Sequence, residues 1–428
     1  METNEINSNK MMLSIPNNWI ITPFSKAYSF LRTFPYSRDL LSTIKTNDKI
    51  KYLHYGDIHT QYSNRILNVS QKSGIPFLKD GIINIKEFEK DDFPKLKNGD
   101  LIIADASEDY EGLCDSTEII AINNQKLISG LHTFATRPKD GLIAIGFSNY
   151  ILKNDFVRKE LRRIATGISV YGISKSNFSK VPIIIPPLPE QQKIAKILST
   201  WDQAIEQSQK LIEQLKLRKK GLMQQLLTGK KRLPGFSGEW KDMKLGDYFT
   251  QRNETNKNSL PLLSVGLNGV YPQDDSVKKD TSNSDKSKYK RICVGDIGYN
   301  TMRMWQGRSA LSSLEGIVSP AYTIVTPKKN ADSLYFSYLF KLVEVVHMFY
   351  RHSQGLVSDT WQCRFKDFSL VKVECPPTIK EQEAIAIVLS SAEKEIKAQE
   401  TYLAQLQIQK KGLMQQLLTG KKRVILDN

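Results

Sequence analysis

This sequence predicts two globular domains of one plan, each followed by a long helix, with the two helices pairing as an intramolecular coiled coil. Three observations predict it: one stretch is repeated letter for letter, a heptad seam occurs twice, and the segments between them echo each other. The expected order is a first globular domain over residues 1–187 and a spacer helix over 188–232. A second globular domain follows over 233–375, then a second spacer helix with a C-terminal tail over 376–428.

The repeat is KKGLMQQLLTGKKR, at residues 219–232 and again 191 positions later at 410–423. At the same offset EQQKIAKILS (190–199) aligns with EQEAIAIVLS (381–390), and a proline pair stands before each, Pro186-Pro187 and Pro376-Pro377. Internal similarity at a fixed period means one supersecondary unit used twice. The globular parts echo more loosely. Gly99-Asp100-Leu101 resembles Gly295-Asp296-Ile297, residues 129–138 share a Ser, Thr, Thr, Pro rhythm with 319–327, and Ile15-Pro16 with Trp19 matches Leu233-Pro234 with Trp240. Two unrelated domains with similar loop chemistry would leave the same faint echo.

In the first helix the apolar residues fall at Ile194, Leu198, Trp201, Ile205, Ile212, Leu215, Leu222 and Leu226, with gaps at Ser208 and Lys219. The second copy reads Ile385, Leu389, Ala392, Ile396, Leu403, Leu406, Leu413 and Leu417, with gaps at Gln399 and Lys410. Alternating steps of three and four make a coiled-coil seam. Pro187 and Pro189 hold extended backbone ahead of the first helix, Glu190 suits the positive end of its dipole, and Gly229 and Gly420 are C-terminal stops. A helix of about 39 residues is a rod of roughly 58 Å. Its seam needs a partner, and the matching helix of the same chain is held close by tethering. Like surfaces pack with two-fold symmetry, which predicts a pseudo-two-fold repeat. Docking of the two helices on other proteins, or dimerisation between chains, is the competing use of the seam.

With 428 residues the chain has room for two or three domains, and 61 Lys and Arg against 45 Asp and Glu give it a net charge of +16. Such a surplus favours a polyanionic partner, nucleic acid first. The N-terminus lacks the charged start and apolar core of a leader, and no stretch reaches the ~20 apolar residues of a membrane span, so a cytoplasmic location is expected. Cys114, Cys293, Cys363 and Cys375 are too far apart in sequence to suggest a thiolate metal site or a disulfide framework.

No catalytic constellation emerges. Thr228-Gly229-Lys230-Lys231 has the look of the end of a phosphate loop, but Gln224 stands where the first glycine belongs and the segment ends a helix instead of starting one. There is no dinucleotide fingerprint after a predicted strand, and the proline pairs lack the Asp or Asn and the aromatic of a base-gripping methyltransferase motif. His54, His59, His132, His347 and His352 are too scattered for a metal. A non-catalytic chain without metal or cofactor of its own is therefore expected.

Reading DNA requires donors and acceptors on groove-entering loops and cations on the backbone. In the second domain the expected phosphate contacts are Lys286, Lys288, Lys290 and Arg291, and the base-reading loop offers Asn300, Thr301, Arg303, Trp305, Gln306 and Arg308, with Gly307 allowing close approach. In the first domain the corresponding set is His54, Tyr55, His59, Thr60, Arg137, Lys139, Tyr171, Ser174 and Lys175. ADASEDYEG (104–112) is acidic and reads instead as a solvated turn or an internally bonded loop.

Taken with YGDIHT (55–60), GDLIIADASEDYEG (99–112), VYGISKSNF (170–178) and GDIGYNTMRMWQGRSAL (295–311), the two proline–EQ helix openings and the two GLMQQLLTGKKR endings make the chain resemble, over essentially its full length, the specificity subunit of a Type I DNA restriction and modification enzyme. The resemblance implies two α/β (α+β) target recognition domains, each reading one half of a split asymmetric DNA sequence, and paired helices forming an antiparallel coiled coil that sets the gap and docks two methyltransferase subunits. Restriction and translocase subunits would join that core. S-adenosylmethionine, ATP and Mg²⁺ would belong to the partners, as would base flipping. A coiled-coil scaffold that binds only proteins is the alternative, separable by salt-dependent DNA binding.

Overall fold

Leu101–Ala104 reads LIIA, an apolar run without alternation, and all four residues are buried in the centre of a sheet. The computed structural model describes residues 3–8, 11–62, 65–71, 74–266, 269–275, 284–355 and 361–426. The chain divides into two compact units, one of residues 1–208 with 402–428, the other of residues 209–401.

In the first unit the strands lie in the order Tyr28–Phe30, Thr133–Pro138, Leu101–Ala104, Ser116–Ile120 and Arg65–Asn68, antiparallel except for the last pair. A second sheet of short strands is built around Ile50–Leu53, and Ile20–Pro23 pairs with Pro182–Ile185 where the chain leads into the first long helix. In the second unit the main sheet runs Phe249–Arg252, Tyr322–Pro327, Ile297–Asn300 and Ser309–Leu311, all antiparallel, and Lys241–Lys244 pairs with Lys372–Cys375 ahead of the second long helix. The two sheets share one plan, so the echo in the sequence is a repeated fold and not coincident loop chemistry. Beside its main sheet the second unit pairs Leu263–Gly266 with Gly269–Pro272 and Lys290–Ile292 with Gly316–Val318.

The match extends to individual bonds. Gly-Asp-Leu and Gly-Asp-Ile open the central strand in each unit, with Asp100 and Asp296 both buried. The carboxylates accept from Lys97 N (2.7 Å) and Cys293 N (2.8 Å), and each is clamped by an arginine. In the first unit it is Arg137, two bonds of 2.8 Å from the last strand; in the second it is Arg252, at 2.7 and 3.3 Å from the first strand.

The long helices span Leu188–Leu226 and Ile379–Leu418. Every predicted seam position is buried or half-buried, whereas Leu217, Ile387 and Ile408 elsewhere on the same helices are 69, 63 and 72% exposed. Within the first unit Ile194 and Leu198, early in one helix, share a core with Leu417 and Leu418, late in the other. Within the second, Ile385 and Leu389 share a core with Leu226 and Leu227. Start against end is antiparallel pairing, as the family resemblance implies. Two lysine gaps in the seam are filled by ion pairs: Lys410 meets Asp202 in the first unit, and Lys219 meets Glu393 at 3.2 Å in the second. Both helices then stop at glycines in the left-handed region, Gly229 at φ +67° and Gly420 at φ +71°.

The EQ of each helix opening fastens the helix to its own domain. Gln191 accepts from Ala144 N (2.8 Å), as Gln382 does from Asp332 N (2.9 Å). The carboxylate before it takes an arginine from the far end of the repeat: Arg423 on Glu190 in the first unit and Arg232 on Glu381 in the second. Among the described residues no helix is long and apolar enough to cross a membrane.

Candidate nucleic-acid interface

The 300–308 loop of the second unit, and His54, Tyr55, His59, Thr60 and Tyr171 of the first, lie around the C-terminal end of the central strand of their unit. Two equivalent backbone bonds set the correspondence between the units: Ile173 N donates to Asp105 O (3.0 Å), and Cys363 N donates to Thr301 O (2.9 Å). Each lies next to an antiparallel bridge, Thr166–Gly172 in one unit and Gln354–Gln362 in the other, beside the loop that leaves the central strand.

In the second unit that loop is the predicted base reader. The Asn300 side chain accepts from Met302 N (3.0 Å), Trp305 donates its indole N–H to Met302 O (3.0 Å), and Gly307 takes φ +72° to turn the chain back. Trp305 also meets Trp361 edge to face, ring centres 5.3 Å apart. Thr301 is tied to Thr323 (2.8 Å). This scaffold leaves Arg303, Gln306 and Arg308 exposed, and among the described residues neither arginine has an ion pair.

The predicted phosphate run divides. Lys288 is exposed, and Lys286 lies 5.0 Å from the centre of the Tyr289 ring. Lys290 is half-buried and donates to Tyr322 O (2.6 Å), with burial lowering its pKa. Arg291 is an internal clasp, at 2.7 Å from Glu254 and 2.5 Å from Glu315, so its charge is answered within the domain.

In the first unit His54, Tyr55, His59, Thr60 and Tyr171 gather around the equivalent loop. Tyr55 meets His132 edge-on at 5.5 Å, His59 Nε2 lies 2.8 Å from Ala106 O, and Tyr171 stacks on Tyr110 at 4.0 Å. Asp115 lies 3.5 Å from His59 Nδ1 and its hydrogen bond raises the histidine pKa. Thr60 donates to Gly56 O (2.8 Å), and Ser174 caps the helix Lys175–Phe178. Lys175 is exposed and its ammonium lies 4.8 Å from the centre of the Phe30 ring.

Two expected contacts, Arg137 and Lys139, lie away from that loop. Arg137 lies at the other end of its strand, engaged with Asp100 and with Lys95 O (2.9 Å), and Lys139 beside it donates to Ser25 O (3.1 Å). A bidentate clamp on a buried carboxylate makes Arg137 a structural residue. The acidic 104–112 segment bonds internally, with Asp109 accepting from Gly112 N (2.6 Å) and Arg158 donating to the carbonyls of Tyr110 and Glu111, yet it occupies the position that the 301–308 loop holds in the second unit.

The same correspondence brings in residues the sequence reading missed. Ser174 and Ser176 align with Arg364 and Lys366, both exposed just after the Gln354–Gln362 bridge of the second domain. The available signal was the Phe-Ser-x-Val of 178–181, repeated at 368–371 before the second proline pair. Among the described residues no group of three or more His, Cys, Asp or Glu could hold a metal ion.

Comparison with known proteins agrees with this two-part architecture. A family model described as the Type I restriction modification DNA specificity domain matches twice, over residues 42–217 and 238–407. The chain is 24% identical over 425 residues to the type I restriction enzyme MjaVIII specificity subunit of Methanocaldococcus jannaschii, covering 89% of this chain and 92% of that one. It is 26% identical over 374 residues to the putative MjaX specificity subunit of the same organism, covering 79% and 83%. Among solved structures, a Type I restriction-modification S subunit from M. genitalium superposes with a TM-score of 0.55 at 12% identity, covering 97% and 99% of the two chains. A chain from a structure of complex assembly and conformational transition in the type I system gives 0.52 at 14% identity, covering 95% and 99%.

Proposed function

The chain belongs to the family of Type I restriction-modification DNA specificity domains, and from that premise we propose how it supplies specificity to its complex. Each target recognition domain reads one half of a bipartite, asymmetric DNA site. The paired helices fix the gap between the halves and dock two methyltransferase subunits, and restriction and translocase subunits join through that core. The chain is non-catalytic. S-adenosylmethionine, ATP and Mg²⁺ are held by the partners, which also extrude the base to be methylated. The work is done in the cytoplasm, where the DNA is.

One observation carries this reading. Two domains share a sheet topology, a buried Asp–Arg clamp and the same helix-fastening bonds, but differ in side chains at one exposed end. Tyr55, His132 and Tyr171 stand there in the first, and Arg303, Gln306 and Arg308 in the second. A conserved frame with divergent loops is what two readers of different half-sites need, since direct readout depends on a few groove-facing donors and acceptors.

The test is adenine methylation mapped across the genome by single-molecule sequencing, in cells that carry the cognate methyltransferase with and without this chain. A split motif methylated only when the chain is present is the expected result. Unchanged methylation would overturn the proposal and favour a protein-binding scaffold.

A further inference from the structure

Beside the reading loop of the second domain lies an open cleft of ≈ 510 Å³. Its walls are Gln251, Lys290, Thr301, Gln362, Arg364 and Lys366, and no carboxylate is among the lining residues. A cleft of ≈ 320 Å³ in the first unit also holds many cations, but Glu111, Asp115 and Asp155 line it too. Of these two clefts, the 510 Å³ one has the uncompensated positive lining.

Its position is fixed by the fold. Thr301 belongs both to the reading loop and to the cleft wall, and its carbonyl holds Cys363 N, one residue before Arg364. The Arg364 Nε is oriented by Gln362 Oε1 at 3.1 Å, while Arg364 and Lys366 are exposed and have no ion pair among the described residues. When the 301–308 loop enters a groove, the cleft comes to lie against the sugar–phosphate strand bordering that groove, where contacts set register without reading sequence.

We infer that Arg364 and Lys366 are a phosphate clamp, through which the second target recognition domain grips the DNA backbone next to its base-reading loop. The inference rests on the DNA-reading function proposed above. It adds an asymmetry, because the equivalent positions of the first domain are Ser174 and Ser176, which can hydrogen-bond a phosphate but release no counterions on binding. The second domain thus brings two cations to this short helical segment, Arg364 and Lys366, where the first brings one, Lys175.

The experiment measures binding of the full chain, in complex with its methyltransferase subunits, to a duplex carrying the methylated motif and to a scrambled duplex, across a salt series. Arg364→Gln and Lys366→Gln should each make the slope of log affinity against log salt shallower by about 0.9, with equal fold losses on both duplexes. Lys366→Arg should restore the slope, and Lys372→Gln, exposed outside the cleft, should leave it unchanged. Unaltered slopes for both cleft variants, or losses confined to the motif duplex, would overturn the clamp. Failure of the unsubstituted complex to distinguish the two duplexes would instead remove the reading function beneath it.

Discussion

Arg423 forms a two-pronged ion pair with Glu190, a residue 233 positions earlier in the chain, and the carboxylate it grips is only 4% exposed. Arg232 and Glu381 repeat the arrangement in the second unit, at 2.5 and 2.7 Å with the carboxylate 1% exposed. Each pair joins the last residue of one GLMQQLLTGKKR motif to a glutamate in the first turn of the other helix. The motif is thus a fastener between helix end and helix start.

Removing one partner should leave a buried charge unanswered. Arg423→Ala is expected to destabilise the chain by about 2–3 kcal/mol, below the full value for a buried pair because the arginine is 31% exposed. Urea unfolding of Arg423→Ala, Glu190→Gln and the double variant checks it. A double variant no less stable than the worse single one shows coupling, and additive losses would mean that the two side chains act separately.

The seam makes a sharper contrast within one helix. Leu215 is 6% exposed and Leu217 is 69% exposed, two residues apart. Leu215→Ala should cost about 2–5 kcal/mol and loosen discrimination between DNA gaps of different length, while Leu217→Ala should stay within about 0.5 kcal/mol and keep it. Methylation assays on duplexes with the gap lengthened or shortened by one base pair read the difference.

Arg137 should behave as a structural residue. With Asp100 fully buried and its carboxyl pushed up by burial against the pull of Arg137, loss of the guanidinium should destabilise the first unit by about 2–3 kcal/mol and leave its sequence preference intact. Thermal unfolding and motif mapping of Arg137→Ala give the two readings independently.

This reassignment shows where sequence reasoning stopped. The helices were legible because a seam repeated at a fixed offset, with Lys219 and Lys410 breaking it at the same place, constrains forty residues at once. The Asp of Gly-Asp-Leu was legible as an echo, but its clamp was not: the arginine comes from a different strand in each unit, a choice made by tertiary packing. Strands such as Leu41–Ser42 and Phe77–Leu78 are two residues long, too short to show alternation, so the second sheet of the first domain left no trace. The 104–112 loop was set aside for its charge, whereas position in the fold aligns it with 301–308.

His59 predicts a pH effect of definite sign. Its hydrogen bond to Asp115 raises the folded pKa above the ordinary histidine value, helped by Ala106 O and the nearby charge of Asp109 and opposed by burial. A raised histidine contributes stability that is complete below the unfolded pKa of about 6.5 and is lost as pH climbs through the folded value. His59→Gln should therefore cost more stability at about pH 5.5 than at about pH 8. Melting curves of both proteins at the two pH values test this, and an equal or larger cost at the higher pH would show that the protonated imidazole adds nothing.

Arg303 and Arg308 flank the turn at Gly307 and have no ion pair among the described residues, so no carboxylate must be surrendered before either can meet a base. A bidentate contact to guanine would make Arg303→Ala or Arg308→Ala cost ~1–3 kcal/mol on the cognate duplex and relax the preference at a single base pair of one half-site. Competition binding with every single-base variant of the motif separates this from a backbone role. Loss focused on one position identifies the base that arginine reads, and equal loss on all duplexes would assign it to phosphate, leaving Asn300 and Gln306 as the readers.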